Sequence, residues 1–398
     1  MLECGIVGLP NVGKSTLFNA LRSAQAFGSK AQARRGKPSN LAVAANYPFT
    51  TIEPNVGVVE VPDERLAKLV EVIVQESIAL LQNDKKRNPS TSLRTSRPLV
   101  IPAVVRFVDI AGLVKGAAQG EGLGNQFLSH IREVDVILFV LRGFENKDII
   151  RSGSVDPKED LEVLKSELLL KDLETTNKKL ETLSRDLKSA SGNDPRNAVL
   201  KIVEKAKGLV EQGKWLRDEL TDEELAKITD LQLLSAKKCI YVINSDEKDL
   251  GKETERQRDK ETEGIKGAIR ISAKLEEELV SLSEEEQKEY LAQLGQKESG
   301  LNLLTKKAYE VLGLATFFTA GPKEVHAWTI KKGSLAPTAA GAIHSDFERG
   351  FIAAEVIDWQ KYVEAGGWQV SKAKGLVRTI GKGEEIKDGY VVEFRFSI

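Results

Sequence analysis

The chain is short of the residues that build metal centres and disulfide frameworks. Its 398 residues include only two cysteines and three histidines. Cys4 and Cys239 each sit in an apolar, strand-like run, so they read as buried thiols of a reducing compartment, not as a disulfide or a metal pair. His130, His326 and His344 are too scattered to form a histidine-based metal centre. No run approaches the roughly 18 consecutive apolar residues that a membrane span requires. The first residues read as a core strand without signal-peptide character, so a cytoplasmic location and no membrane partner are expected. An excess of charge is also missing. The 58 basic and 59 acidic residues leave a formal charge of −1, which excludes a globally basic nucleic-acid coat and confines any RNA contact to a local patch. The length predicts two or three domains.

What the chain does have is concentrated near its start. Gly8-Leu9-Pro10-Asn11-Val12-Gly13-Lys14-Ser15 is a complete G-x-x-x-x-G-K-[ST] phosphate-binding loop. It follows the apolar run Cys4-Gly5-Ile6-Val7 and precedes the amphipathic run Thr16-Leu17-Phe18-Asn19-Ala20-Leu21, which gives the strand–loop–helix order the chemistry needs. The glycines let backbone N–H groups curl around phosphate oxygens, and the helix N-terminus adds positive potential. Asn11, Val12, Gly13, Lys14, Ser15 and Thr16 are the candidate phosphate-binding residues. Lys14 is placed to reach the β- and γ-phosphates, and the Ser15 hydroxyl to ligate Mg²⁺. The competing reading is a bare glycine turn between a strand and a helix, and the full motif in this context disfavours it. The expected ligand is a nucleoside triphosphate.

Alternating strand-like and helix-like runs continue to about residue 150, with Val56–Val61, Val104–Asp109 and Val136–Leu141 as strand candidates. This pattern predicts a doubly wound α/β sheet with ligands at the carboxyl ends of its strands. From about 155 to 236 the runs become long, charged and leucine-punctuated, with Leu161, Leu164 and Leu168 at helical spacing and Leu173, Leu180 and Leu187 seven apart. Ser191-Gly192-Asn193-Asp194-Pro195 breaks them, and Thr221 with Glu224 has the spacing of a capping box. An antiparallel helical hairpin or coiled coil projecting from the sheet is expected, against the alternative of ordinary surface helices. Cys239–Asn244 and Ala268–Ile271 resume the sheet, and a β-rich α+β module follows. The expected domains are therefore 1–150 and 237–301 for the nucleotide domain, 151–236 for the inserted helices and 302–398 for the C-terminal module. Residues 28–40 and 83–97 are polar, and read as solvated loops in preference to RNA-binding arms.

Further elements recur in the order of a GTPase-like domain. Asp109-Ile110-Ala111-Gly112 ends a strand; its Asp109 would hold Mg²⁺ through water and the Gly112 N–H would sense the γ-phosphate. Thr50-Thr51 is the first-switch candidate, with Thr51 completing the Mg²⁺ shell. Asn244-Ser245-Asp246-Glu247 stands where base recognition belongs, and Ser272-Ala273-Lys274 follows the last strand as its backbone support.

Together with Asn46-Tyr47-Pro48-Phe49, Gly120-Glu121-Gly122-Leu123-Gly124-Asn125, Phe317–Val325 and Ala339–Ile352, these runs resemble the YchF/Obg-like ATPase family over almost the whole chain. The resemblance implies a Ras-like P-loop domain, an inserted coiled-coil domain and a C-terminal TGS domain, and association with ribosomes. In the fourth position of the base element, GTPases present an aspartate that accepts from guanine N1–H and N2; here that position is Glu247 and the second is Ser245. Adenine offers no N2 donor and presents N1 as an acceptor, so a carboxylate clamp gives it little. Asn244 is expected to address N7. The resemblance turns this into a preference for ATP, with GTP as the alternative.

Leu113 replaces the glutamine that orients the attacking water in Ras-like enzymes, so intrinsic turnover is expected to be slow. Asn11 resembles the asparagine that holds K⁺ near the phosphates in K⁺-activated relatives. Arg151 stands where family members often carry a histidine. Lys14, Thr51 and Gly112 remain the catalytic candidates, and Ser15, Thr51 and Asp109 the Mg²⁺ set. The expectation is an ATP-driven switch on the ribosome (the large subunit or the whole particle), monomeric and without a DNA partner. The alternatives are a GTPase of the same class and a nucleotide-stabilised ribosome or RNA adaptor with incidental turnover.

Overall fold

Four consecutive buried residues, Cys4 to Val7, make β1 (Glu3–Val7) a strand that only the interior of a covered sheet can hold. The computed structural model, which describes residues 2–23, 56–87, 97–110, 123–144, 156–189, 194–250 and 265–397, places it there. The strands of this sheet are β2 (Val56–Glu60), β4 (Val104–Asp109), β5 (Val136–Gly143), β6 (Lys238–Ser245) and β7 (Ile269–Ile271); β3 (Leu99–Ile101) belongs elsewhere. Their order is β2-β4-β1-β5-β6-β7. β1 pairs in parallel with β4 and β5, and β5–β6 and β6–β7 are parallel too. The parallel strands thus end at one edge, where the loop after β1 emerges. Gly5 permits the close cover this needs: a Cβ there would lie 2.5 Å from Ile110 and 2.8 Å from Val134.

Helix α1 occupies 14–23; α2 (Glu64–Arg87), α3 (Leu123–Glu133), α4 (Pro157–Asp186) and α5 (Arg196–Glu211) follow. The Asp156 side chain caps α4 by accepting from Lys158 N, with Pro157 in the first turn where its missing N–H costs nothing. The leucine spacing resolves as a buried stripe of Leu164, Leu168, Leu169 and Leu183 on α4, facing Ile202, Val203, Ala206 and Val210 on α5. Two short helices, α6 (Leu216–Glu219) and α7 (Asp222–Lys227), lead back to β6, and Thr221 and Glu224 form the expected reciprocal capping box.

The helical insertion shares one apolar cluster with the sheet, running from Leu164 and Val203 through Trp215 to Phe139 and Leu141. The Phe139 ring stacks on Tyr241 at 5.8 Å and meets Trp215 edge-on at 6.2 Å. The insertion is therefore continuous with the first unit's core, not a compact body of its own. A buried carboxylate fixes its base: Asp172 of α4 accepts from Leu234 N, Ser235 N and Ser235 Oγ at 2.8, 2.7 and 2.5 Å. Burial drives its pKa upward, opposed by those donors.

The rest of the first unit is helical: α8 (Ala273–Val280), α9 (Glu284–Gln293) and α10 (Gly300–Val311). The unit comprises Met1–Val59 and Arg106–Val311, and the second comprises Glu60–Val105 and Leu312–Ile398. Two expected boundaries change. The C-terminal module begins at Leu312, because α10 packs on β6 and β7. Residues 60–105, expected within the first domain, leave it between β2 and β4 and join the second unit. Part of the expected polar loop 83–97 is also helical, since α2 extends through Arg87.

In the second unit the strands are β8 (Leu314–Ala320), β9 (Glu324–Lys331), β10 (Phe351–Asp358), β11 (Arg378–Ile380) and β12 (Tyr390–Phe396), in the order β11-β10-β12-β8-β9-β3. β8–β9 and β10–β12 are antiparallel, while β3 and β9 are parallel. Helix α11 (Ala336–Ile343) buries Ala336, Ala339 and Ala340, small enough to settle on Ala315, Phe317 and Ala354 of the sheet. The shorter α12 (Ser345–Arg349), α13 (Trp359–Ala365) and α14 (Trp368–Ala373) complete the unit. Helix α2 packs on β8, β9 and α13. At its start, Arg65 donates to Asp388 Oδ2 at 2.6 Å and to both Asp63 oxygens, with its guanidinium 4.9 Å above the Phe318 ring. Those carboxylates hold its pKa above the ordinary arginine value against the opposing effect of burial. No described helix is long and apolar enough to cross a membrane.

Candidate functional site

The loop leaving β1 turns back through two left-handed residues, Asn11 (φ 62°) and Gly13 (φ 90°). Gly13 is required twice over, because a Cβ there would lie 2.1 Å from Asn244 Nδ2. The Lys14 ammonium folds across the loop and donates to the carbonyls of Gly8 and Leu9 at 2.9 and 2.7 Å. Burial lowers its pKa and Asp109, at the end of β4, raises it. Burial likewise raises Asp109, which Lys14 pulls back. A polyanion arriving beside Lys14 would favour its charged form.

Asn244, next to last in β6, is buried, and its amide is engaged at both ends. Nδ2 donates to Val12 O at 3.0 Å, and Oδ1 accepts from Ala273 N at 2.9 Å. The side chain therefore bolts the phosphate loop to the start of α8. Ser272 caps α8 through Leu275 N. Ser245 is buried, and its hydroxyl accepts from Arg270 at 3.2 Å. Glu247 accepts from the Tyr290 phenol at 2.8 Å.

These elements enclose a pocket of about 900 Å³, ample for a nucleotide. Asn11, Gly13, Lys14, Ser15 and Thr16 line it together with Asn244, Ser245, Glu247, Ser272 and Ala273. Val12 contributes its carbonyl from a fully buried position. Phe144 and Leu294, which the sequence reading passed over, supply apolar surface. Phe144 follows β5 directly and could have been found by asking what stands at each strand's carboxyl end; Leu294 and Tyr290 arrive on α9 and the turn after it, with no motif to mark them. Thr51, Gly112, Leu113 and Arg151 lie outside the described residues, as does loop 28–40. His130 is exposed in the last turn of α3, outside the pocket lining. Cys4 is buried, Cys239 half-buried, and burial pushes both thiols up to about 12, so they stay protonated and inert.

Two family models match the chain: one described as a 50S ribosome-binding GTPase over residues 3–185, and the YchF GTPase C-terminal model, described as a protein of unknown function, over 314–397. A protein from Bacillus subtilis named "Ribosome-binding ATPase YchF" is 43% identical over 100% of both chains. The chain belongs to the YchF family. Another YchF, from Escherichia coli O157:H7, with the same printed name, is 41% identical over 100% of this chain and 99% of its own. The solved structure of the Schizosaccharomyces pombe YchF GTPase superposes with a TM-score of 0.79 at 35% identity, covering 99% of this chain and 97% of that one. YchF membership thus spans both units, and the P-loop domain, the helical insertion and the β-rich C-terminal part are features of the family fold.

Proposed function

We propose that the chain binds ATP·Mg²⁺ in this pocket, hydrolyses it slowly, and uses the nucleotide to switch its association with ribosomes. The Asn244 bond between Val12 and Ala273 carries this reading, because it fuses the phosphate end and the base end into one preorganised receptor. Lys14 would hold the β- and γ-phosphates. Mg²⁺ bound there would neutralise phosphate charge. Ser15 at the start of α1 and Asp109 at the end of β4 are oxygen donors suited to that hard cation, with phosphate and water filling the remaining positions and Thr51 in the third protein position. Glu247 in place of an aspartate, already engaged by Tyr290, favours adenine over guanine. The relatives' printed name, ribosome-binding ATPase, supports both the substrate and the partner. Gly112 would sense the γ-phosphate, and Leu113 explains slow turnover. K⁺ beside Asn11, monomeric action and a cytoplasmic location complete the reading.

The GTPase reading draws support from the words GTPase in one family description and in the fission-yeast structure. Titrating the purified chain with fluorescent ATP and GTP separates the two: ATP is expected to bind at least tenfold more tightly, and the reverse order rejects the adenine assignment. Lys14→Ala is expected to lower phosphate release by roughly 100-fold or more, the scale of losing one charge-stabilising donor, and to alter ribosome co-sedimentation in ATP. Binding to ribosomes that ignores both the nucleotide and this substitution would leave an adaptor. Faster phosphate release in KCl than in NaCl is expected from the Asn11 site, and equal rates reject it.

A further inference from the structure

The base-reading loop is braced from behind by a helix that carries no recognisable motif. Glu247 lines the pocket, and its Oε1 accepts from the Tyr290 phenol on α9 at 2.8 Å. A second brace stands nearby, where the Gln296 side-chain amide donates to the carbonyl of Leu250. Helix α9 is itself firmly set. Ser283 and Glu286 form a reciprocal capping box at its start. Gln287 Nε2 donates to the carbonyls of Leu279 and Leu282 at 2.8 and 3.2 Å. Leu291 packs with Leu275 and Leu279, and the Tyr290 ring and Leu250 lie against that cluster. The Tyr290–Glu247 bond therefore joins a fixed helix to the pocket wall, unlike a pairing between two free surface chains.

The chemistry of the two purines makes that bond consequential. A carboxylate recognises guanine by accepting from N1–H and from the N2 amine together, which requires both oxygens to be turned toward the base edge. A phenol bonded to one oxygen from outside the pocket opposes that rotation. Adenine makes no such demand. We infer that Tyr290 is a specificity-determining positioning residue, which selects against guanine nucleotides by holding Glu247 out of the two-pronged clamp. The inference rests on the reading that this pocket takes an adenine nucleotide, and assigns that preference to the Tyr290–Glu247 pair, beyond the Glu247 side chain alone.

The test uses the full chain as wild type, Tyr290→Phe, Glu247→Gln and the double variant, each titrated with fluorescent ATP and GTP. Tyr290→Phe keeps the ring in its apolar cluster and removes only the donor. The ratio of the GTP to the ATP dissociation constant is expected to fall about 5- to 10-fold in Tyr290→Phe, the size of one ordinary intramolecular hydrogen bond at a partly exposed site. On the Glu247→Gln background the same change is expected to leave the ratio within twofold, because the two residues act as one unit. An unchanged ratio in Tyr290→Phe, or an equal fall on both backgrounds, overturns the assignment. A loss of stability alone would shift both nucleotides together and leave the ratio where it was. The wild-type ratio is a separate reading: a wild type that prefers GTP rejects the adenine proposal, while the change from wild type to Tyr290→Phe still decides whether Tyr290 restrains Glu247.

Discussion

The two units of this chain place their long-range polar ties in different settings, although ionic ties such as Arg106 to Glu3 also occur in the first. In the first, parallel strands bury almost continuous apolar runs, as in Val136 to Leu141, and polar side chains gather at the strand ends. There Asn244 ties Val12 to Ala273, and deeper in the helical insertion Asp172 ties α4 to the turn before β6. In the second, a mostly antiparallel sheet is covered by small-residue and amphipathic helices, and an important polar tie is ionic: Arg65 to Asp388. Polar ties at the strand ends of the first unit shape a receptor, whereas the tie in the second holds a scaffold. Asn244 is neutral, so its tie adds no charge of its own beside a pocket already lined by Lys14, Asp246, Glu247, Lys248 and Lys274.

That contrast can be broken most forcefully at Asp172. Asp172→Ala strands two buried N–H groups and a hydroxyl, and is expected to destabilise the first unit by about 3 kcal/mol. Thermal unfolding and hydrogen exchange in α4 and β6 measure it, and a loss within experimental error would show that the carboxylate is dispensable. Arg65→Ala is the counterpart in the second unit, expected to cost about 2 kcal/mol through lost hydrogen bonds and the cation–π contact with Phe318. Amides of β8, β9 and β12 should lose exchange protection, while ATP affinity stays within twofold. A matching loss of ATP affinity would mean that the two kinds of tie are not separate in effect.

The smallest effect sharpens the comparison through pH. Glu276 is buried at the end of a chain of contacts to the start of α10, accepting from Gly300 N at 2.6 Å. Burial pushes its pKa up to about 7, against those donors. Its folded value lies above the unfolded one, so its contribution to stability is full at low pH and is lost as pH rises from the unfolded carboxylate range through about 7. Glu276→Gln removes that dependence. The melting temperature of the variant relative to wild type is expected to be about 3 °C more favourable at pH 8 than at pH 5, and a pH-independent difference rejects the assignment.

Much of the first unit was readable in advance because its signals are local. The phosphate loop, the strands 104–109, 136–143 and 238–245 and the Thr221 capping box each declare themselves within a few residues. What local signals do not carry is partnership. Nothing in residues 60–105 says that β3 pairs with β9 in preference to a strand of the first sheet, because a short apolar strand fits either. Asn244 shows the same limit at the scale of one side chain. Its place after a strand marked it as part of the site, but which groups its two-ended amide would bridge depended on the approach of Val12 and Ala273. Tyr290 had no signal at all, since its role comes from the packing of α9 on α8.

The route of residues 60–105 has a consequence during synthesis. Leu66, Leu69, Val70 and Ile73 of α2 are buried in the finished protein, yet the strands that α2 packs on, β8 and β9, begin about 240 residues or more later in the chain. At roughly 5–20 residues per second, that is about 12–48 s in which an apolar helix face exists without its sheet. Polypeptide emerging in that interval includes the entire helical insertion and the strands that complete the nucleotide pocket. The first unit therefore has time to fold while its neighbour waits, and α2 spends that wait as a sticky segment, dependent on its own charged face or on a chaperone for shelter.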